Sequence, residues 1–224
     1  MMSRRMHALS LISLFLVSSA MAAPTVKITK GSYQTGSGGE FTATIIDGDT
    51  SGFTNGYQFQ TFCLEQNETL SFGNTYYFEI NDGAVNGGLG GQDPSSSGYD
   101  PLDAKTAWLY NQFASETLTG YDFTPATAAD RKADAGLLQN AIWALEDEIT
   151  MSELGTNEFY TLANGSGATG LGNTVVLNLY SLNGETRINH QDVLASAPVP
   201  APGALLLGGL GTMVAGYLRK RRAL

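Results

Sequence analysis

Apolar and polar residues alternate with a period of two along the first part of the chain. Phe41-Thr42-Ala43-Thr44-Ile45-Ile46 is the clearest run, and the stretch from Val26 to Gln60 holds several short runs broken by Gly and Asp. That pattern predicts strands joined by hairpins. Phe59-Gln60-Thr61-Phe62-Cys63-Leu64 continues it, and Thr75 to Ile80 predicts another strand. Asn81 to Asp100 is rich in Gly, Ser and Asp and predicts a long loop. The period then changes. Ala104 to Ser115 carries Leu109, Tyr110 and Phe113 at helical spacing, and Asp130 to Ile149 places Leu138, Ala141, Ile142, Leu145 and Ile149 on one stripe. After a loop around Asn164 to Gly172, Thr174 to Leu182 returns to strand. Strands, two helices and strands again predict an α+β body over residues 23–194: an antiparallel β-sandwich or barrel with a two-helix insertion. No internal repeat is present.

The two ends depart from this pattern. Arg4 and Arg5 precede an apolar run from Ala8 to Val17 and the small residues Ser18-Ser19-Ala20-Met21-Ala22. A basic head, a short apolar core and an A-x-A site predict a secretory signal peptide over 1–22, cut after Ala22. The apolar core is too short for a permanent anchor. At the other end, residues 195–202 form a Pro/Ala linker ending in Val199-Pro200-Ala201-Pro202. An apolar run follows over 203–218, then a basic tail over 219–224 that contains Arg219, Lys220, Arg221 and Arg222. As a helix the apolar run would be about 24 Å long against a hydrocarbon core of about 30 Å, so it predicts a marginal or transient transmembrane helix. The basic stop would stay in the cytoplasm and the body outside. Arrest followed by removal of the tail is the logic of a removable anchor.

Charge sharpens the picture of the body. All 21 acidic residues lie between the two ends, against six basic ones: Lys27, Lys30, Lys105, Arg131, Lys132 and Arg187. The balance of −15 repels phosphate backbones and excludes nucleic acid as a partner. It suits an extracellular protein or one that binds cations. Cys63 is the one cysteine, so an intramolecular disulfide is impossible in a compartment that permits them. Such a cysteine is buried and inert, paired with another chain, or chemically committed. His190 is the one histidine left after signal removal, which argues against a His-rich zinc site. No G-x-S-x-G elbow, P-loop or Rossmann fingerprint occurs. Asp47-Gly48-Asp49-Thr50-Ser51-Gly52 opens like a calcium loop, but position twelve is Gln58, so it reads as a turn. The acidic run Glu146-Asp147-Glu148 reads as a solvated helix face, and spacing alone leaves a glycosidase pair open. No cofactor and no metal site is expected.

Gln139 and Trp143 lie off the apolar stripe of their helix. A tryptophan there needs a second packing partner, so the helix is expected to bury two flanks, one carrying Gln139. A buried Gln needs partners for its amide.

Two resemblances follow from these residues. Val199-Pro200-Ala201-Pro202, the Gly-rich apolar run and the Arg-rich end look like the PEP-CTERM sorting signal of Gram-negative bacteria, with Ala201 where Glu is commonest. That resemblance implies signal peptidase and an exosortase-like processing enzyme as partners. It also implies transient inner-membrane insertion and delivery to the cell surface or extracellular matrix. Phe62-Cys63 and the set Gln139, Ala141 and Trp143, with Leu138 in place of Thr, resemble the thioester domains of Gram-positive surface adhesins. That resemblance implies a bond between the Cys63 sulfur and the Gln139 side-chain carbonyl, closing a loop of about 77 residues. A nucleophile on a surface polymer or other amine-bearing target would open it. Three functions stand side by side. The chain is a covalent adhesin-like module without turnover, a non-covalent structural or binding exoprotein with an inert buried cysteine, or a secreted hydrolase.

Overall fold

The computed structural model describes residues 22–36, 38–48, 50–85, 88–90 and 98–198. The expected signal over 1–22 lies outside the described residues save for Ala22, as do the motif Val199 to Pro202, the apolar run and the basic stop Arg219 to Arg222. Among the described residues no helix is long and apolar enough to cross a membrane.

The first half is built of strands: β1 (Thr25–Thr29), β2 (Gln34–Thr35), β3 (Gly38–Gly39), β4 (Phe41–Asp47), β5 (Gln58–Thr61), β6 (Thr75–Asn81), β7 (Gly83–Val85) and β8 (Tyr99–Pro101). Four helices follow: α1 (Ala104–Ala114), α2 (Ala128–Leu145), α3 (Met151–Leu154) and α4 (Glu158–Gly165). The chain then returns to β9 (Thr174–Asn183), β10 (Thr186–Asn189) and β11 (Val193–Ser196). This is an α+β arrangement with antiparallel pairing. The helical part holds four helices rather than the expected two, and β11 takes in Ala195 and Ser196 from the stretch expected as linker.

Seven strands make one sheet in the order β10-β9-β6-β1-β4-β5, with β11 also paired to β9. The period-two pattern explains its two faces. Along β4, Phe41, Ala43 and Ile45 are buried, while Thr42 and Thr44 are half-buried. The short segment after β5 then meets β11. Cys63 bridges Val193, Leu64 N donates to Asp192 O at 3.1 Å, and Leu194 N donates to Phe62 O at 3.2 Å. Hydrogen bonding therefore runs through β5, β4, β1, β6, β9 and β11 and back to the chain at residues 62–64.

That segment separates two apolar cores. Phe62 and Leu64 face a core shared with α1, α2 and α4, which includes Tyr110, Phe113, Leu138, Ile142 and Phe159. Cys63 faces the other way, into a core of sheet residues such as Ile28, Phe41, Phe78 and Leu177. Helix α2 contributes to both. Leu138, Ala141 and Ile142 enter the helical core, and Trp143 enters the sheet core beside Cys63. The second buried flank expected for this helix is present.

Asp130 Oδ2 accepts from the Thr127 N–H at the start of α2. The helix ends at Leu145, four residues before the expected Ile149. Asp147 adopts a positive φ of 60° and turns the chain, and the N–H groups of Glu148 and Ile149 fold back to Trp143 O. The acidic run is accordingly not a solvated helix face. Glu146 and Glu148 are buried at 6% and 3% exposure, and only Asp147 is exposed. Glu146 accepts from the Asp103 N–H just ahead of α1. Glu148 accepts from the N–H groups of Gln66, Leu89 and Gly90. An exposed acidic side chain, Asp147, at the negative end of the helix dipole favours the stop. The N–H groups of Gln66, Leu89, Gly90 and Asp103 that donate to them draw the two glutamates inward.

Candidate functional site

The two residues expected to react are brought together. Gln139 projects from the middle of α2, 2% exposed, toward the segment that carries Cys63, 4% exposed. Gln139 Oε1 accepts two backbone hydrogen bonds, from the N–H of Cys63 at 3.1 Å and from the N–H of Gly39 at 3.1 Å. Its Nε2 donates to Cys63 O at 2.9 Å. The side-chain amide is thus clamped to the backbone of the residue whose sulfur would attack it.

The second donor comes from the β2–β3 hairpin, which lies across α2. Gly38 approaches Gln139 so closely that a Cβ there would stand 2.5 Å from Cγ and 2.8 Å from Cδ and Oε1. Gly39, at φ 100°, turns its N–H onto Oε1 in a conformation that favours glycine. The hairpin is held down by Glu40, one residue on. Glu40 Oε1 pairs with Arg131 Nη2 at 2.7 Å, and its Oε2 accepts from Arg131 Nε at 2.9 Å and from the Tyr121 hydroxyl at 2.7 Å. Arg131 lies two turns before Gln139 on the same helix, so one element positions both the amide and the lid over it. The guanidinium also stacks over the Tyr33 ring at 4.5 Å.

Two N–H donors converging on one carbonyl oxygen are the arrangement that stabilises charge developing on that oxygen when its carbon is attacked. Burial, with the nearby Glu65 carboxylate adding to it, pushes the Cys63 thiol well above its ordinary range. The sulfur therefore rests as a thiol, and its proton must leave as it attacks.

Of the neighbouring motif residues, Phe62 is fully buried and meets Phe113 edge-on at 5.0 Å. Ala141 is fully buried in the helical core. Trp143 lines the sheet core, and its Nε1 is buried without a hydrogen-bond partner among the described residues. His190 Nε2 meets Ser181 Oγ at 2.8 Å, but among the described residues no carboxylate hydrogen-bonds the imidazole to complete a triad. Asp47 ends β4, and beyond it Ser51 N and Gly52 N both donate to Gly48 O, a turn-type closure.

The sequence reading did not find Gly38, Gly39, Glu40 and Arg131. The Gly36-Ser37-Gly38-Gly39 run was a signal for close backbone approach, and glycine density of that kind carries the information. The pairing of Glu40 with Arg131, 91 residues apart, left no local trace. No protein-family model matches the chain, and neither a curated protein nor a solved structure matches it.

Proposed function

We propose that the body carries an internal thioester between Cys63 and Gln139, and that the protein is an exported covalent binding module without turnover. The observation that carries this reading is the Gln139 carbonyl oxygen held between the N–H groups of Cys63 and Gly39. In the forming step the Cys63 sulfur bonds to Gln139 Cδ, and the carbonyl π pair moves onto Oε1, facing both donors. Collapse expels Nε2, which takes the thiol proton and departs as ammonia. Thiol and amide become thioester and ammonia, with no oxidant or cofactor required. Proximity supplies the rate that an unactivated amide lacks, and the Gly38–Gly39 hairpin shields the product from water. An amine on a surface polymer would then attack the same carbon, form an amide at Gln139 and release the Cys63 thiol.

The rest of the reading follows the chain. The ring of strands is a β-barrel with a helical insertion. A signal peptide over 1–22 directs export, and the tail from Val199 arrests the chain in the inner membrane for exosortase-like processing. The cell surface or matrix is the destination. A non-covalent reading rests on the same contacts. Gln139 has its carbonyl and amide groups hydrogen-bonded as they stand, as a core residue that pins a strand requires.

Intact mass separates the two. The thioester form weighs one ammonia less than its sequence, resists alkylation at Cys63, and gains methylamine at Gln139 with release of the thiol. Cys63→Ala and Gln139→Ala abolish both effects. Full sequence mass together with a titratable thiol in freshly unfolded protein would leave the pinning glutamine as the correct account.

A further inference from the structure

We propose that Glu65, Glu68 and Asp192 form a binding site for a hard divalent cation of calcium's size. The site does not depend on the thioester. One carboxylate oxygen from each of the three residues lies within 4.8 Å of the others. Glu65 is 1% exposed and Asp192 is 0% exposed, with Glu68 half-buried beside them.

Their hydrogen bonding is incomplete in a directed way. Glu65 Oε2 accepts from Gln191 Nε2 at 2.8 Å and from Asp192 N at 3.3 Å. Glu65 Oε1 is buried and has no partner among the described residues, and the same is true of Glu68 Oε2. Both unpartnered oxygens belong to this cluster. The ion pairs found among the described residues, Arg131 with Glu40 and Arg187 with Glu79, do not involve it. Burying a carboxylate without a partner is costly, and three together cost more.

Two species relieve such a cluster: protons or a cation. Asp192 favours the cation. Its Oδ2 accepts from Val85 N at 2.7 Å and Asn178 Nδ2 at 2.8 Å, and its Oδ1 accepts from Leu179 N at 3.2 Å. Three donors aimed at one carboxylate are built for its ionised form. A positive charge among the three residues would satisfy that ionised carboxylate together with the unpartnered oxygens of Glu65 and Glu68.

The donor atoms select the metal. All are carboxylate oxygens, which suit calcium, magnesium and manganese rather than zinc or copper. Glu65 and Glu68 come from the irregular segment after β5, and Asp192 is the residue before β11. Calcium takes several carboxylates in flexible geometry, whereas magnesium demands a near-ideal octahedron and is usually held by one or two carboxylates with several waters. A cation here would tie residues 65–68 to the start of β11, just beyond the Cys63–Val193 bridge.

The test uses the whole chain, stripped with EGTA and dialysed, then titrated calorimetrically with CaCl₂ and followed by thermal unfolding. The expected result is one equivalent of Ca²⁺ bound and a raised unfolding midpoint, with equimolar Mg²⁺ failing to compete. Glu68→Gln should weaken Ca²⁺ binding by about tenfold or more. In EGTA it should keep or raise the midpoint, because it removes a like charge. Asp192→Asn should also lose binding, and if that variant does not fold, Glu68→Gln decides alone. Absence of saturable Ca²⁺ binding overturns the site, as does undiminished binding in Glu68→Gln. Equal competition by Mg²⁺ overturns the assignment to a calcium-sized ion.

Discussion

Gly38 lies against the side chain of Gln139 with no room for a methyl group between them: a Cβ built on Gly38 would fall 2.5 Å from Gln139 Cγ. The glycine is there for space. Gly38→Ala should push the amide off its two donors, at an overpacking cost of about 1–3 kcal/mol. The expected variant folds, shows full sequence mass and has an alkylatable Cys63 on unfolding. Mass spectrometry with and without methylamine checks it. An alanine variant with the ammonia-deficient mass would show that the contact does not govern the reaction.

Arg131→Met should leave Glu40 buried and unpaired except for its Tyr121 contact. Breaking one partner of a buried pair costs about 3–5 kcal/mol, so urea unfolding should move to lower midpoints by a corresponding amount. Adding Glu40→Gln to that background removes the stranded charge and should recover part of the loss. Thiol titration in native conditions should report a looser hairpin in the single variant than in the double.

Glu146 sets a pH dependence with a defined sign. Burial pushes its carboxyl from 4.5 up to about 8, against the Asp103 N–H bond that favours the ionised form. Between those values the folded state holds a proton that the unfolded chain has released. Its contribution is therefore complete below the ordinary carboxylate range and is lost as pH rises to about 8. The slope is up to about 1.4 kcal/mol per pH unit. Glu146→Gln should flatten the fall in stability between pH 5 and pH 8 relative to the unsubstituted protein. Urea titrations at several pH values read it, and an unchanged slope would rule out Glu146 as a titrating group in that window.

Processing of the C-terminal end is checked on cells. Peptide mapping of the surface-exposed protein should recover the body but not Arg219 to Arg222, and replacing those four residues should weaken membrane arrest. Recovery of the complete basic end from the surface form would refute removal.

Long, strongly periodic elements were legible in the sequence. Phe41 to Ile46 lies within β4, Thr75 to Ile80 within β6, and the stripe through Leu138 and Ile142 within α2. The short elements were not, because β7, β8 and α3 are too brief to show a period. For α3 the capping box of Thr150 and Glu153 was the available mark. Within the site, Cys63 stood out by being alone and Gln139 by lying off its stripe. The Gly39 N–H could not be seen, since a backbone donor leaves no signature in side-chain chemistry. Glu146 and Glu148 were misread for a related reason. Charge indicates solvent unless the N–H groups that will face it are known, and those groups, on Gln66, Leu89, Gly90 and Asp103, are distant in sequence.

The meeting of residues 62–64 with β11 also bears on how these molecules tolerate crowding. An open sheet ends in rows of unpaired N–H and C=O groups, a template on which neighbouring chains can add strands. Here the bonds between Phe62, Leu64 and β11 occupy such rows on both partners. The sheet path ends at β5, whose continuation at residues 62–64 is bonded to β11, and at β10, four residues long, where Arg187 reaches across to Glu79. A short edge carrying charge is a poor seed for intermolecular sheet growth, so this seam protects a β-rich chain from fusing with its own copies at high local concentration.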